Sequence, residues 1–132
     1  MSTLPPIILS TRDLPRLESM LENATGPVAE ALEAELVRAD VRTPDALPAD
    51  VVTMNSQVVC VDDAGNSQTV RLVFPNEADA ATGKVSVLAP VGAALLGLTA
   101  GQAIEWPLPG GRTTRMRVEK VLYQPEAAGE PG

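Results

Sequence analysis

The sequence predicts an α+β protein in which a short helical hairpin precedes a mainly antiparallel sheet carrying one short helix. Two observations predict this fold class. Apolar residues recur at helical spacing before residue 42, and they alternate with polar residues after residue 50. The stretch between them contains two prolines and reads as a linker. At 132 residues the chain is long enough for one ordinary domain, or for two small units that share a core.

Two helices are predicted near the N-terminus, after a short edge strand at residues 7–9. Three leucines recur at spacings of three and four in the first helix: Leu14, Leu17 and Leu21. Thr11 or Asp13 is placed to cap that helix. The second helix is predicted over residues 28–41, with apolar residues at every fourth position. Because only five residues join the two helices, we expect them to pack against each other as an antiparallel hairpin.

The remainder of the chain is predicted to be a sheet with one helix. Alternating hydrophobicity predicts strands over residues 51–61, 69–74, 84–88, 103–108 and 113–123. Pro90 begins a short helix that Gly97 ends. On the last strand, alternation places three side chains inward: Met116, Val118 and Leu122. We therefore expect an N-terminal unit over residues 1–49, a sheet domain over 50–125, and a frayed tail over 126–132 that follows Gln124.

Composition excludes several classes of function. The net charge of −7 disfavours contact with nucleic acid and with anionic membranes. There is no histidine, one cysteine and only three aromatic residues, which argues against imidazole catalysis, Cys-rich zinc sites and base stacking. No segment is long and apolar enough to be a signal peptide or a membrane span. We expect a soluble cytoplasmic protein that needs no metal to hold its fold.

Three groups of reactive or charged residues have an ordinary structural interpretation beside a functional one. Cys60 lies in an apolar strand and is expected to be a buried small hydrophobe, because no histidine is present to activate it. Glu30 and Glu33 share a helix face and could hold Mg²⁺, although such a pair is more often a solvated surface. The third group is a basic stripe, which could receive an acidic partner or a phosphate: Arg112, Arg115, Arg117 and Lys120. Glu105, on the strand expected beside it, would neutralise part of that charge.

Two glycine-containing segments are also distinctive. The Pro-Gly-Gly sequence at residues 109–111 is predicted to be a hairpin turn, because a phosphate-binding loop would be followed by a helix and by Lys-Ser/Thr. The segment 89–97 is small and apolar, and it is predicted to be a helix that packs over the sheet. The same segment can offer an exposed apolar docking surface.

Several separated motifs resemble the Gre transcript-cleavage factors. They are the segment 85–97, Gly101 and the segment 106–111, in that order. With the segments 50–56 and 123–129 added, the pattern is closer still to the Rnk family of that superfamily, whose name denotes a regulator of nucleoside diphosphate kinase. The resemblance covers residues 7–129. It implies an N-terminal antiparallel coiled coil and a C-terminal FKBP-like domain. Prolyl isomerase activity is not implied, because that chemistry uses an aromatic pocket.

The resemblance also implies a partner. Gre-type factors bind RNA polymerase, with the C-terminal domain at the rim of the secondary channel and the coiled coil pointing inward. Transferred by position, the docking loop comprises Leu88, Ala89, Pro90, Val91 and Gly92. The hairpin tip comprises Glu22, Asn23, Ala24, Thr25, Gly26 and Pro27.

Two departures from the family pattern matter. The cleavage factors have a longer hairpin with acidic residues at its tip, whereas residues 23–27 contain no carboxylate. We therefore expect a protein that is not an enzyme and has no cofactor, and that docks to polymerase in competition with Gre factors without stimulating RNA cleavage. The second departure is Gln102, which stands where the family has aspartate after Gly101. We expect this difference to alter a surface turn only.

Two alternatives remain open at this stage. The chain could bind nucleoside diphosphate kinase directly, or a nucleotide at the stripe from Arg112 to Lys120. It could also retain weak cleavage activity through Glu22 or Glu30 and Mg²⁺. The first alternative predicts a ligand that stabilises the fold, and the second predicts shortened transcripts. Measuring both effects therefore separates these alternatives from docking to polymerase without cleavage.

Overall fold

The computed structural model describes residues 7–107 and 109–129. The N-terminal part contains strand β1 (Ile8–Ser10), helix α1 (Asp13–Leu21), helix α2 (Pro27–Val37) and strand β2 (Asp40–Arg42). Strands β1 and β2 pair in parallel and form a small two-stranded sheet. Pro27 occupies the first turn of α2, as the sequence predicts, because a proline at that position loses no helical hydrogen bond.

The rest of the chain forms a five-stranded sheet. Its strands are β3 (Gln57–Asp62), β4 (Ser67–Val73), β5 (Lys84–Ser86), β6 (Ala103–Pro107) and β7 (Thr113–Tyr123), in the order β5-β4-β3-β7-β6. All neighbours are antiparallel except β4 and β5. Helix α3 (Pro90–Leu95) connects β5 to β6, and helix α4 (Pro125–Ala128) follows β7. The α+β class is therefore confirmed.

One apolar core joins the helices to the sheet. Leucines from α1 and α2 cluster with inward residues of β3, β4 and β7, such as Val58, Leu72 and Val118. Leu95 and Leu96 at the end of α3 complete the same cluster. The sheet thus has one face covered by the helices. In the described residues, no helix is long and apolar enough to cross a membrane.

The second helix ends four residues before its predicted limit. Residues 40–42 form β2 instead, because the backbone N–H of Asp40 donates to the carbonyl of Ile7 at 2.8 Å. A strand pairing between distant parts of the chain has therefore overridden the local helical pattern. The capping prediction was also wrong: Arg12 precedes α1 without a side-chain cap, and the Asp13 carboxylate is buried and contacts another segment.

Two further predictions about the end of the chain were wrong. Leu122 is 51% exposed rather than inward, because two bulges in the β3–β7 pairing change the alternation of β7. The expected frayed tail instead begins with three buried residues, Gln124, Pro125 and Glu126, and forms α4, although residues 127–129 are exposed. The last residues of the predicted tail, 130–132, lie outside the described residues, as does Leu108.

Candidate functional site

The predicted docking loop runs from Leu88 and Ala89, which connect β5 to α3, into the first turn of α3, and it is held by Ser86. The Ser86 hydroxyl accepts a hydrogen bond from the backbone N–H of Leu88 at 3.0 Å, and its carbonyl accepts one from Ala89 at 3.0 Å. The N–H of Ala93 then donates to the carbonyl of Ala89 at 2.9 Å, which starts the helix. The loop conformation is thus fixed by backbone hydrogen bonds at both of its ends.

Packing constrains the loop as strongly as hydrogen bonding does. A Cβ atom placed on Gly92 would lie 1.9 Å from the carbonyl oxygen of Ser86, so only glycine allows this approach of α3 to β5. Val87 and Leu95 anchor the two sides of the loop in the core, both with no exposed surface. Leu88, Ala89 and Val91 remain half-buried. The loop therefore presents small apolar groups in a fixed arrangement.

An apolar groove borders the same helix. It has a volume of about 650 Å³ and lies between α2, α3 and β6. Its apolar lining includes Val28, Ala31, Leu32, Ala93, Ala94 and Ile104. The groove therefore begins at Ala93, the residue after the docking loop, and lies between α3 and the N-terminal helix α2.

The predicted hairpin tip connects α1 and α2, which are in contact with each other. Glu22, Asn23 and Thr25 are exposed there. The helices have nine and eleven residues. In the described part of the chain, no group of three or more His, Cys, Asp or Glu residues is placed to bind a metal ion.

Cys60 is a buried thiol, as the sequence predicts. It lies in β3 with no exposed surface, and burial raises the pKa of its thiol to about 11. A thiol with this pKa is almost entirely protonated at neutral pH and is a poor nucleophile.

The basic stripe follows β7 and its preceding turn. Arg115, Arg117 and Lys120 lie in the strand, and their side chains are exposed. Glu105 of β6 lies directly opposite Arg115, which confirms the predicted cross-strand neighbours. Arg112 belongs to the turn before the strand. The stripe therefore lies on the outer surface of the sheet.

A cluster of buried polar side chains was missed by the sequence analysis. It brings together three distant segments through Asp13, Thr53, Ser56, Gln124 and Glu126, and we call it the polar junction. The Thr53 hydroxyl donates to Oε1 of Glu126 at 2.8 Å and lies 2.9 Å from the Ser56 hydroxyl. The Gln124 side-chain amide donates to the carbonyls of residues 48 and 51, both at 2.8 Å. The junction therefore fastens the C-terminal segment to the rest of the fold.

Asp13 connects helix α1 to the polar junction. Its Oδ2 accepts a hydrogen bond from the backbone N–H of Met54 at 3.1 Å, and the residue has no exposed surface. Burial raises the pKa of Asp13 to about 6, with a further increase from the nearby Glu126 carboxylate; the hydrogen bond from Met54 acts in the opposite direction. The junction therefore contains a carboxyl group that titrates close to neutral pH.

Hydrophobic periodicity gave no signal for this junction, because hydrogen bonds between distant segments leave no local pattern. A weaker signal was present. Its residues 53, 56, 124 and 126 fall within the segments 50–56 and 123–129, which carried the family resemblance. Those segments, separate in the chain, meet in the fold.

Comparison with known families gives two matches along the chain. The family model described as "Transcription elongation factor, GreA/GreB, C-term" matches residues 47–123. The model described as "Rnk N-terminus" matches residues 5–41. The two matches together span both the helices and the sheet, and the first covers more than half of the chain.

Individual relatives agree with these matches. A protein of Escherichia coli K12 named "Regulator of nucleoside diphosphate kinase" is 46% identical over 130 residues, which is 96% of each chain. Transcription elongation factor GreA of Rhodopseudomonas palustris TIE-1 is 37% identical over 81 residues, 61% of this chain and 51% of the relative.

Solved structures show the same relationship. A structure titled "Prokaryotic transcription elongation factor GreA/GreB from Nitrosomonas europaea" superposes with a TM-score of 0.83 at 45% identity, covering 91% of this chain and all of that one. Gfh1 of Thermus thermophilus, at 22% identity and a TM-score of 0.52, shares the fold.

Proposed function

Because the chain belongs to the GreA/GreB family and carries the Rnk N-terminal module, we propose that it is a transcription regulator that binds RNA polymerase. The docking loop, residues 88–92, supplies the principal contact at the rim of the secondary channel. The observation that supports this most is the loop's fixed conformation within the region that matches the GreA/GreB model. A preorganised loop binds without an ordering cost, which favours affinity from a small surface.

Competition with Gre factors follows from a shared docking position. The groove beside α3 extends the apolar contact. Helices α1 and α2 act as the antiparallel hairpin that points toward the channel, in front of an FKBP-like sheet domain. Since residues 23–27 contain no carboxylate and Glu22 only flanks them, the tip lacks the acidic residues of the cleavage factors, and docking proceeds without RNA cleavage. A cytoplasmic location follows, because that is where polymerase acts.

Ala89→Asp provides a fold-sparing test of the docking loop. Ala89 is the residue that precedes the first turn of α3, a position where aspartate is a favourable helix cap. The substitution therefore adds a charge to the docking surface without disrupting the helix. We expect about tenfold weaker binding to immobilised RNA polymerase, since the new carboxylate must be desolvated on docking.

Ala64→Asp is the matched control, because it places the same charge in the exposed β3–β4 turn. Its affinity for polymerase should equal that of the parent. Equal affinity of all three proteins, with unchanged melting temperatures, would place the contact elsewhere and refute the assignment of residues 88–92.

A second candidate function rests on the name of the Escherichia coli relative, "Regulator of nucleoside diphosphate kinase". Under this alternative the chain binds that kinase directly, or binds a nucleotide at the basic stripe. A nucleotide ligand would raise the melting temperature with increasing concentration, because it binds only the folded state. Our polymerase proposal predicts no such shift with nucleoside di- or triphosphates.

A further inference from the structure

The outer face of the five-stranded sheet differs in charge from the rest of the molecule. The helices and the core cover the other face, where Val58, Cys60 and Val118 point. The pairing register places Arg117 beside Val61, Lys120 beside Val59, and Gln57 beside both Tyr123 and Arg71. Because directly paired residues share a sheet face, these side chains lie together on the uncovered side. We call this surface the basic face.

The basic face combines cations with exposed apolar surface. Arg115, Arg117 and Lys120 run along β7, while Arg71 lies two strands away on β4. Val59 and Val61 of β3 lie between them, half-buried and outside the core cluster. Glu105 and Glu119 are the acidic neighbours along β6 and β7. The four cations are concentrated on one face of a chain whose net charge is −7.

We propose that the basic face binds an extended acidic segment of a partner protein in which acidic residues occupy alternate positions. Residues two apart in a strand are separated by about 7 Å, so Arg115 and Arg117 match carboxylates at alternate positions of an extended segment. Charge complementarity of this kind gives orientation and fast association.

A nucleic acid is a poorer fit to this surface. Tyr123 is the aromatic residue that the register places on the basic face, and the Arg71 guanidinium already lies over its ring at 5.2 Å. Arg71 is itself held by a hydrogen bond to the carbonyl of Asn55 at 3.2 Å. The Arg71 guanidinium therefore competes with a base for stacking on the Tyr123 ring. A long polyanion would also meet the acidic remainder of the molecule, whereas a short acidic segment would not.

A labelled peptide tests the proposal directly. A fluorescein-labelled ten-residue peptide of alternating glutamate and valine, titrated with the full chain at low salt, should give saturable anisotropy that weakens as salt is raised. The double variant Arg115→Glu/Arg117→Glu should bind it about tenfold more weakly or worse. Both side chains are exposed, but Arg115→Glu places a second carboxylate opposite Glu105, so the melting temperature of this variant should fall by no more than a few degrees.

A charge-matched control separates the basic face from net charge. Arg38→Glu/Arg42→Glu changes the net charge by the same amount as Arg115→Glu/Arg117→Glu, but at residues outside the five-stranded sheet. It should alter the affinity for the peptide less than threefold, because charges distant from the peptide are screened by salt. The same loss in both double variants would overturn the proposal. No saturable binding of the peptide, or tighter binding of a ten-nucleotide single-stranded DNA, would overturn it as well.

Discussion

The docking loop and the polar junction are fixed in the structure by different kinds of interaction. The loop is held by close backbone packing and by hydrogen bonds to Ser86, a neighbour in sequence. The junction is held by side-chain hydrogen bonds between segments up to 76 residues apart, and it contains buried carboxyl groups. The loop should therefore respond to changes in side-chain volume at any pH. The junction should respond to changes in protonation.

Gly92→Ala should have the largest effect, because it tests the packing of the loop. The new methyl group would overlap the Ser86 carbonyl oxygen at 1.9 Å, and two backbone segments must separate to relieve the contact. We expect a loss of about 3 kcal/mol in the free energy of unfolding, which is the upper end of the usual cost of adding atoms to a well-packed site. Urea denaturation at pH 5 and pH 7.5 should show a similar loss at both, and a loss confined to one pH would contradict this account.

Asp13→Asn should change the pH dependence of stability through the junction. The folded-state pKa of Asp13 is raised to about 6, so its contribution is fully present below about pH 4 and is lost as the pH rises through 6. Above pH 6 the buried charge costs about 3 kcal/mol relative to an unshifted carboxyl group, at about 1.4 kcal/mol per pKa unit. The Asn side-chain oxygen can still accept the hydrogen bond from Met54.

The expected result for Asp13→Asn is a flatter pH profile. The variant should gain stability relative to the parent between pH 4.5 and pH 7.5, as measured by urea denaturation at both values. Parallel profiles for the two proteins would show that Asp13 is not the group that titrates. They would contradict the claim that the polar junction responds to protonation whereas the docking loop does not.

Thr53→Val tests the junction without changing charge. The substitution keeps the shape of the side chain and removes the hydroxyl that donates to Glu126. A buried acceptor left without its donor should cost about 2 kcal/mol. Thr69→Val, on the exposed surface of β4, is the control and should change stability by less than about 0.5 kcal/mol. Equal melting temperatures for both variants would show that the Thr53–Glu126 hydrogen bond contributes nothing.

The smallest effect is expected at the turn between α1 and α2. Thr25 is exposed, and Thr25→Ala should change the free energy of unfolding by less than about 0.5 kcal/mol. If this turn only enters the channel and the loop supplies the affinity, polymerase binding should also be unchanged. A tenfold loss of binding by Thr25→Ala would move the principal contact from the loop to the turn.

Features governed by local pattern were predictable from the sequence. The position of α3 followed from Pro90 and Gly97, and β6 and β7 followed from alternation. Leu122 was placed on the wrong face because the bulges that expose it arise in the pairing with β3, which alternation within β7 cannot reveal. The end of α2 was missed for the same reason, since β2 exists only because β1 pairs with it.

The candidate functional residues also divide into those that local sequence pattern predicted and those that it did not. Residues 88–92 and 22–27 occupy the loop and the turn that the sequence predicted. The polar junction could not be predicted from periodicity, because Asp13 read as a helix cap and Glu126 as part of a frayed tail. Only the folded chain brings Thr53 within 2.8 Å of Glu126.

Competition for RNA polymerase tests the central claim most directly. The protein should be titrated against fluorescently labelled GreA on purified polymerase, with RNA cleavage in backtracked complexes scored in the same reactions. Our account predicts that labelled GreA is displaced, that Ala89→Asp displaces it about tenfold less effectively than Ala64→Asp, and that the protein stimulates no cleavage of its own. Failure to displace GreA at any practical concentration, or transcript shortening by the protein alone, would contradict it.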